Sequence, residues 1–170
     1  LDGNTTWGSG ASARGRFVNT GDLTVTMMQN HGDFINESNA TFNHLQVGDN
    51  NNRGDGYHAA TYVNAGTTTT AGLNIVFSST LTNQLNAELT ASGSGQVAGT
   101  LVNEGNLTLS GSGIYRLLGN KFINSNEDEG YLINKSHLKA DNQLVLLGGQ
   151  LVNEGTSELK DVQIVNGQLK

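Results

Sequence analysis

Short runs of alternating apolar and polar residues follow one another along the chain. Eight of these runs contain the same tripeptide, which consists of a large apolar residue, a β-branched residue and an asparagine. A small residue typically follows two positions after the asparagine, and apolar residues follow four and six positions after it, as in Gly105, Leu107 and Leu109. Alternation with a period of two predicts β-strands. The eight asparagines are Asn19, Asn36, Asn64, Asn83, Asn103, Asn124, Asn134 and Asn153.

The spacing of the tripeptides indicates a repeat architecture. The steps from Asn64 to Asn83 and from Asn83 to Asn103 are 19 and 20 residues, and irregular steps coincide with inserts at residues 48–60 and 125–130. A period near 19–20 residues with strand-like alternation is typical of stacked β coils. We therefore predict an all-β fold, a single-stranded parallel β-helix of about seven to eight coils over residues 16–170. Residues 1–15 would form an N-terminal cap or lead-in.

The recurrent asparagine has two expected roles in such a fold. Asparagine tolerates the left-handed backbone conformation better than most other residues, which favours it at a bend between strands. Its side-chain amide both donates and accepts, so asparagines in register would form a hydrogen-bonded ladder. The glycine two positions further on, as at Gly21 and Gly66, fits a tight turn.

The β-branched residues before the asparagines raise the question of which way they face. Val18, Ile35 and Val63 have the opposite parity to the flanking apolar positions. A bend at the asparagine can reverse the facing of the chain, so we expect these residues in the interior. The other interpretation places them outside, where they would form an apolar stripe that marks a lateral interface.

The segment Leu101–Leu109, with the sequence LVNEGNLTL, resembles the repeats of filamentous-haemagglutinin-type adhesins and related secreted bacterial β-helix proteins. The resemblance extends over roughly residues 16–170. It implies a right-handed parallel β-helix, an extracellular or cell-surface location, and a role in adhesion, biofilm or fibre structure. The asparagine–proline motif of that family's secretion domain is missing, since the chain contains no proline.

Composition narrows the classes of partner. The 170 residues include 9 Lys+Arg and 15 Asp+Glu, which gives a net charge of −6. A chain with so few cations has little with which to neutralise phosphates, so we expect no nucleic-acid partner. No apolar run is long enough for a transmembrane helix, so we expect no membrane insertion. The absence of cysteine excludes a disulfide framework and a thiolate metal site.

The polar insert at residues 48–60 carries two candidate sites. Arg53, Gly54 and Asp55 form the tripeptide that integrins bind, which would suggest attachment to a host surface. Asp49, Asn51 and Asp55 place oxygen donors at alternate positions, which is a pattern that Ca²⁺ accepts. Ca²⁺ is the one cofactor that the sequence brings into consideration, and otherwise we expect none. The competing interpretation of both motifs is an ordinary solvated loop.

Two asparagines outside the recurrent tripeptide are candidate glycosylation sites. Asn4 and Asn106 each begin an Asn-x-Ser/Thr sequon. A glycan on an asparagine of the predicted ladder would break the ladder, which is why these two positions are preferred.

Residues that could support catalysis are scattered. The carboxylates are scattered apart from the acidic run Glu127–Glu129, and the four histidines have no common spacing. We therefore predict a non-enzymatic structural or adhesive protein, either a segment of a surface adhesin or a filament subunit built by head-to-tail stacking. Its expected partners are further copies, stacked end to end or laterally, and a host surface or glycan. The alternative is a carbohydrate-acting or carbohydrate-binding β-helix protein.

A row of threonines suggests a third interpretation. Thr24, Thr41, Thr69 and Thr108 share one outward position, five residues after an asparagine of the tripeptide. Flat threonine arrays are typical of ice-binding surfaces. Glu88 holds that position in the repeat of Asn83, so the sequence predicts that the row is interrupted there.

Overall fold

A computed structural model describes the backbone of residues 5–7 and 11–13 and all atoms of residues 15–48, 59–119 and 130–170. The fold is all-β, and its strands form two parallel sheets. Sheet I contains β1 (Thr5–Trp7), β2 (Ala11–Ala13), β4 (Leu23–Asn30), β6 (Asn39–Val47), β8 (Thr67–Ile75), β10 (Glu88–Val97), β12 (Asn106–Leu109), β13 (Ile114–Leu118), β15 (His137–Leu147) and β17 (Thr156–Val165). Sheet II contains β3 (Arg16–Asn19), β5 (Asp33–Asn36), β7 (Thr61–Asn64), β9 (Thr80–Asn83), β11 (Thr100–Asn103), β14 (Tyr131–Asn134), β16 (Gln150–Asn153) and β18 (Gln168–Leu169).

From β3 onward the chain alternates between the two sheets. A short strand of sheet II, which ends at the recurrent asparagine, is followed by a turn and then by a longer strand of sheet I. β12 and β13 together take the place of one long strand, because both pair with β10 on one side and β15 on the other. The named strands pair in parallel with their neighbours, an arrangement that is consistent with a β-solenoid. Both predicted inserts fall in connections, between β6 and β7 and between β13 and β14.

Apolar columns fill the space between the sheets, because equivalent residues of successive repeats stack in register. One column begins with Phe17, Phe34 and Tyr62, whose successive ring centroids lie 4.8 and 4.9 Å apart. It continues through leucines such as Leu81 and Leu101, which are fully buried. Each layer leaves its apolar residues exposed until the next layer covers them, so the repeats stabilise one another.

The β-branched residues before the asparagines face outward, and our expectation of an interior position was wrong. In β5 the pattern is exposed Asp33, buried Phe34, half-buried Ile35 and buried Asn36. The strand therefore keeps strict alternation up to the asparagine, and no reversal of facing occurs before it. An outer stripe results that runs along sheet II, formed by Val18, Ile35, Val63, Thr82, Val102, Ile133 and Val152.

The two ends of the stack differ. On one side β1 and β2 both pair with β4 and so extend sheet I. On the other side, within the described residues, β17 pairs only with β15 and β18 only with β16. Ile164 and Leu169 continue interior columns there but are 50% and 49% exposed, because no further layer of the described residues covers them.

Candidate functional site

The recurrent asparagines form a buried ladder across the C-terminal ends of the strands of sheet II. The side-chain Nδ2 of each of the first six asparagines donates to Oδ1 of the asparagine in the next repeat over 2.7–3.0 Å. The first six members are at most 2% exposed, and the last is half-buried. The seven members are Asn19, Asn36, Asn64, Asn83, Asn103, Asn134 and Asn153.

The first six ladder amides also tie the two sheets together. Asn64 donates to the carbonyl oxygen of Glu88 at 2.8 Å, and Asn83 donates to that of Asn106 at 3.0 Å. In both cases the acceptor begins the sheet I strand of the next repeat. The amide thus satisfies backbone at the corner that each repeat must turn, which a buried corner requires.

The repeat of Asn64 has threonines where other repeats have apolar residues, and the structure explains one of them. Thr68 is fully buried, and its hydroxyl donates to Asn64 Oδ1 at 2.8 Å. The same hydroxyl lies 2.8 Å from the Tyr62 hydroxyl. Burial raises the pKa of Tyr62 well above its ordinary value, and the hydrogen bond with Thr68 opposes that shift. The hydroxyl groups of Thr68 and Tyr62 are therefore both hydrogen-bonded inside an apolar core.

The predicted ladder holds in part. Asn103 donates directly to Asn134, and β11 pairs in register with β14, so no rung exists between them for Asn124. Asn124 itself lies outside the described residues. The step from Asn103 to Asn134 thus spans a single repeat that includes the second insert.

The backbone reason offered for asparagine was wrong. The non-glycine residues with positive φ in the described ranges are Ser78, Asn86 and Asn166, none of which belongs to the ladder. The ladder position is therefore occupied by asparagine because of its side-chain amide.

The glycine two positions after the ladder asparagine also has a different role from the one expected. Gly66 and Gly105 do not have positive φ. A Cβ at Gly66 would collide with the Ser38 carbonyl oxygen, and one at Gly105 with that of Ala87. Glycine is therefore needed there because the backbone of the preceding layer approaches closely.

The threonine row on sheet I is longer than the spacing predicted. The turn after Asn83 is two residues longer than in other repeats, so Thr90, and not Glu88, pairs with Thr69 on one side and Thr108 on the other. The row then gives way to Lys139 and Glu158. Six successive threonines share this register position, which are Thr6, Thr24, Thr41, Thr69, Thr90 and Thr108.

A groove of about 240 Å³ lies on the outer face of sheet I. It is formed by the C-terminal parts of β6, β8 and β10 and by β13. Small residues, Gly72 and Ser94, occupy neighbouring rungs at its floor. Sequence reasoning missed this site, although the signal was present. The runs Leu45–Val47, Leu73–Ile75 and Tyr115–Leu117 each place one polar residue between two buried apolar ones, which marks an outward polar column.

The candidate sites of the first insert lie outside the described residues. This applies to Arg53, Gly54 and Asp55 and to the candidate Ca²⁺ ligands Asp49 and Asn51. Among the residues that are described, no group of three or more His, Asp or Glu is placed to hold a metal ion. The described residues likewise include no helix that is long and apolar enough to cross a membrane.

The two candidate glycosylation sites differ in what the structure describes. Asn106 is exposed at the first position of β12. Its side chain is therefore accessible, while its backbone carbonyl oxygen accepts a hydrogen bond from the ladder amide of Asn83. Asn4 lies outside the described residues.

Comparison with protein-family models, with curated proteins and with solved structures finds no match for this chain. What is established is the class of fold, an all-β protein of parallel sheets with a buried asparagine ladder.

Proposed function

We propose that this chain is a parallel β-helix with a non-enzymatic structural or adhesive role outside the cell, and that its copies stack head to tail. The ladder and the stacked apolar columns support a stiff rod, because the ladder asparagines bond successive layers and the strands of sheet II pair in register. Connections between parallel strands of one sheet are right-handed in nearly all proteins, which favours a right-handed coil.

The observation that supports the stacking proposal is that, among the described residues, the layer of β17 and β18 has no strand paired on its far side. Ile164 and Leu169 leave interior columns half exposed at this edge. The last ladder amide, Asn153, accepts from Asn134 but donates only to the carbonyl oxygen of its neighbour Gly155, at 3.1 Å. A further parallel layer, from more of the same polypeptide or from another copy, would cover both apolar side chains and pair the strand edge. A second copy that enters by its β3 end would supply such a layer, and this contact repeats without closing.

The experiment measures assembly of the purified full chain as a function of concentration, by light scattering and electron microscopy. We expect rods that lengthen with concentration. Replacing Ile164 with Lys would place a charge on the exposed end of a column and should suppress elongation. The matched control is Leu85→Lys, because Leu85 is 71% exposed in a turn away from this edge.

Three outcomes would overturn the stacking proposal. One is a wild-type chain that remains monomeric at all concentrations, and another is equal assembly by the Ile164 and Leu85 variants. The third is side-by-side association, which would instead assign the contact to the outer stripe that contains Val63 and Val102.

A further inference from the structure

The groove on sheet I crosses four strands, β6, β8, β10 and β13. Neighbouring parallel strands lie about 4.8 Å apart, so the site spans roughly 14 Å across the sheet. Its residues form two outward columns in register. One column contains His44, Gly72 and Ser94, and the other contains Asn74 and Gln96 and continues to Arg116.

The floor of the groove exists because Gly72 has no side chain. A Cβ at Gly72 would lie 2.5 Å from Nδ1 of His44, so the imidazole ring occupies the space beside the glycine. Ser94 is the next residue in the column and is also small. The two positions leave an open channel on a sheet whose neighbouring outward residues carry long side chains.

Asn74 is held in a single orientation at the centre of the site. Its Oδ1 accepts from the backbone N–H of Gln96 at 3.2 Å, so its Nδ2 faces Nε2 of His44 at 3.2 Å. Because the amide nitrogen of Asn74 can only donate, Nε2 of His44 accepts in this contact. An amide and an imidazole fixed in this way offer donors and acceptors without reorganisation on binding.

Arg116 is the cation of the groove. It is half-buried, and among the described residues no carboxylate pairs with it. Its neighbour in the column, Gln96, is uncharged. A guanidinium presents paired N–H groups that match a carboxylate in a bidentate geometry. The site thus combines one anion-binding group with several uncharged hydrogen-bonding groups.

We propose that this groove binds an oligosaccharide that carries a uronic acid. The carboxylate would pair with Arg116, and the hydroxyl groups of adjoining sugars would meet Gln96, Asn74 and His44 above the channel floor. The length of the groove fits several sugar units better than a single small anion. One cation among neutral groups fits a sparsely charged oligosaccharide better than a polysulfated oligosaccharide, which would need several cations. This inference rests on the adhesive part of the proposed function, to which it assigns a ligand.

The test is calorimetric titration of the full chain with a xylo-oligosaccharide that bears one glucuronate, with the unsubstituted oligomer of equal length as ligand control. We expect Arg116→Gln to weaken binding by at least about tenfold, because hydrogen bonds to a charged group are lost. Gly72→Val should abolish binding by filling the channel. The matched control is Arg16→Gln, which removes the same charge from an exposed position on sheet II.

Circular dichroism of each variant separates loss of the site from loss of the fold, and Arg116→Lys should retain part of the affinity. The proposal is overturned if the substituted oligomer does not bind, or if the unsubstituted oligomer binds equally well. It is also overturned if free glucuronate binds as tightly, or if only a polysulfated oligosaccharide binds. Assembly is measured on the same samples, so that the two proposals can fail separately. If rods form but the glucuronate-bearing oligomer does not bind, the binding proposal is contradicted and the stacking proposal is not.

Discussion

Removal of one amide from the middle of the ladder should be far more harmful than removal of the last one. Asn83 accepts from Asn64 at 2.8 Å and donates to Asn103 at 2.8 Å and to the carbonyl oxygen of Asn106 at 3.0 Å. Asn83→Ala breaks these three bonds in a fully buried place and leaves Asn103 Oδ1 without its donor. A net hydrogen bond contributes about 1 kcal/mol and an orphaned buried group costs about 1–3 kcal/mol, so we expect a loss of about 3–5 kcal/mol.

The same substitution at the last rung provides the comparison. Asn153 is half-buried, and water can replace the bond that it accepts from Asn134. We expect Asn153→Ala to cost about 1 kcal/mol. Urea denaturation followed by far-UV circular dichroism measures both values from the shift in midpoint and the slope. Equal losses below about 1 kcal/mol at the two positions would contradict a ladder that stabilises through buried amides.

An aspartate at the central position gives the ladder a pH signature. Asn83→Asp replaces the donor by an oxygen that faces Asn103 Oδ1, and burial disfavours its charge, so its pKa in the folded state lies above the unfolded value of about 3.9. The unfolded state then loses its proton first as the pH rises, so the stability of this variant falls above pH ~4 and recovers below it. A destabilisation that does not depend on pH would refute this reasoning.

Three further predictions concern the turn, the core and the tyrosines. Gly105→Ala should lower the free energy of unfolding by several kcal/mol, about as much as a core truncation, because its Cβ would meet the backbone of the preceding layer. A urea midpoint unchanged from wild type would contradict this. Phe34→Ala removes a ring stacked between Phe17 and Tyr62 and should lower the free energy of unfolding by about 3–5 kcal/mol, and a loss below 1 kcal/mol in calorimetric unfolding would exclude the stack as a major contact. Burial raises the pKa of Tyr62 and of Tyr115 above 10.0, so the unfolded state ionises first and stability should fall as the pH rises above about 10; ultraviolet titration would contradict this if all tyrosines ionised together near pH 10 in the folded chain.

The tripeptide alone indicated much of the fold, for a local physical reason. Alternation at period two decides which residues of a strand share a face, and a fixed spacing places equivalent residues in register. Parallel pairing of successive repeats and a ladder through Asn64, Asn83 and Asn103 follow from that pattern, and the structure confirms both. The same logic predicted a rung at Asn124, but Asn103 donates directly to Asn134, and Asn124 itself lies outside the described residues.

Other features could be seen only in the tertiary structure, because they depend on the lengths of turns and on contacts between layers. The two extra residues before Leu89 bring Thr90 into the threonine row, and no local signal reports the length of a turn. Gly105 is required by the carbonyl groups of another layer, which are distant in sequence. The groove exists because β6, β8, β10 and β13 are brought side by side, so that His44 and Arg116 border one channel. The sequence by itself determined which residues of a strand share a face and how the strands repeat. The register between layers decided which side chains meet, because that register is set by the packing of the whole stack.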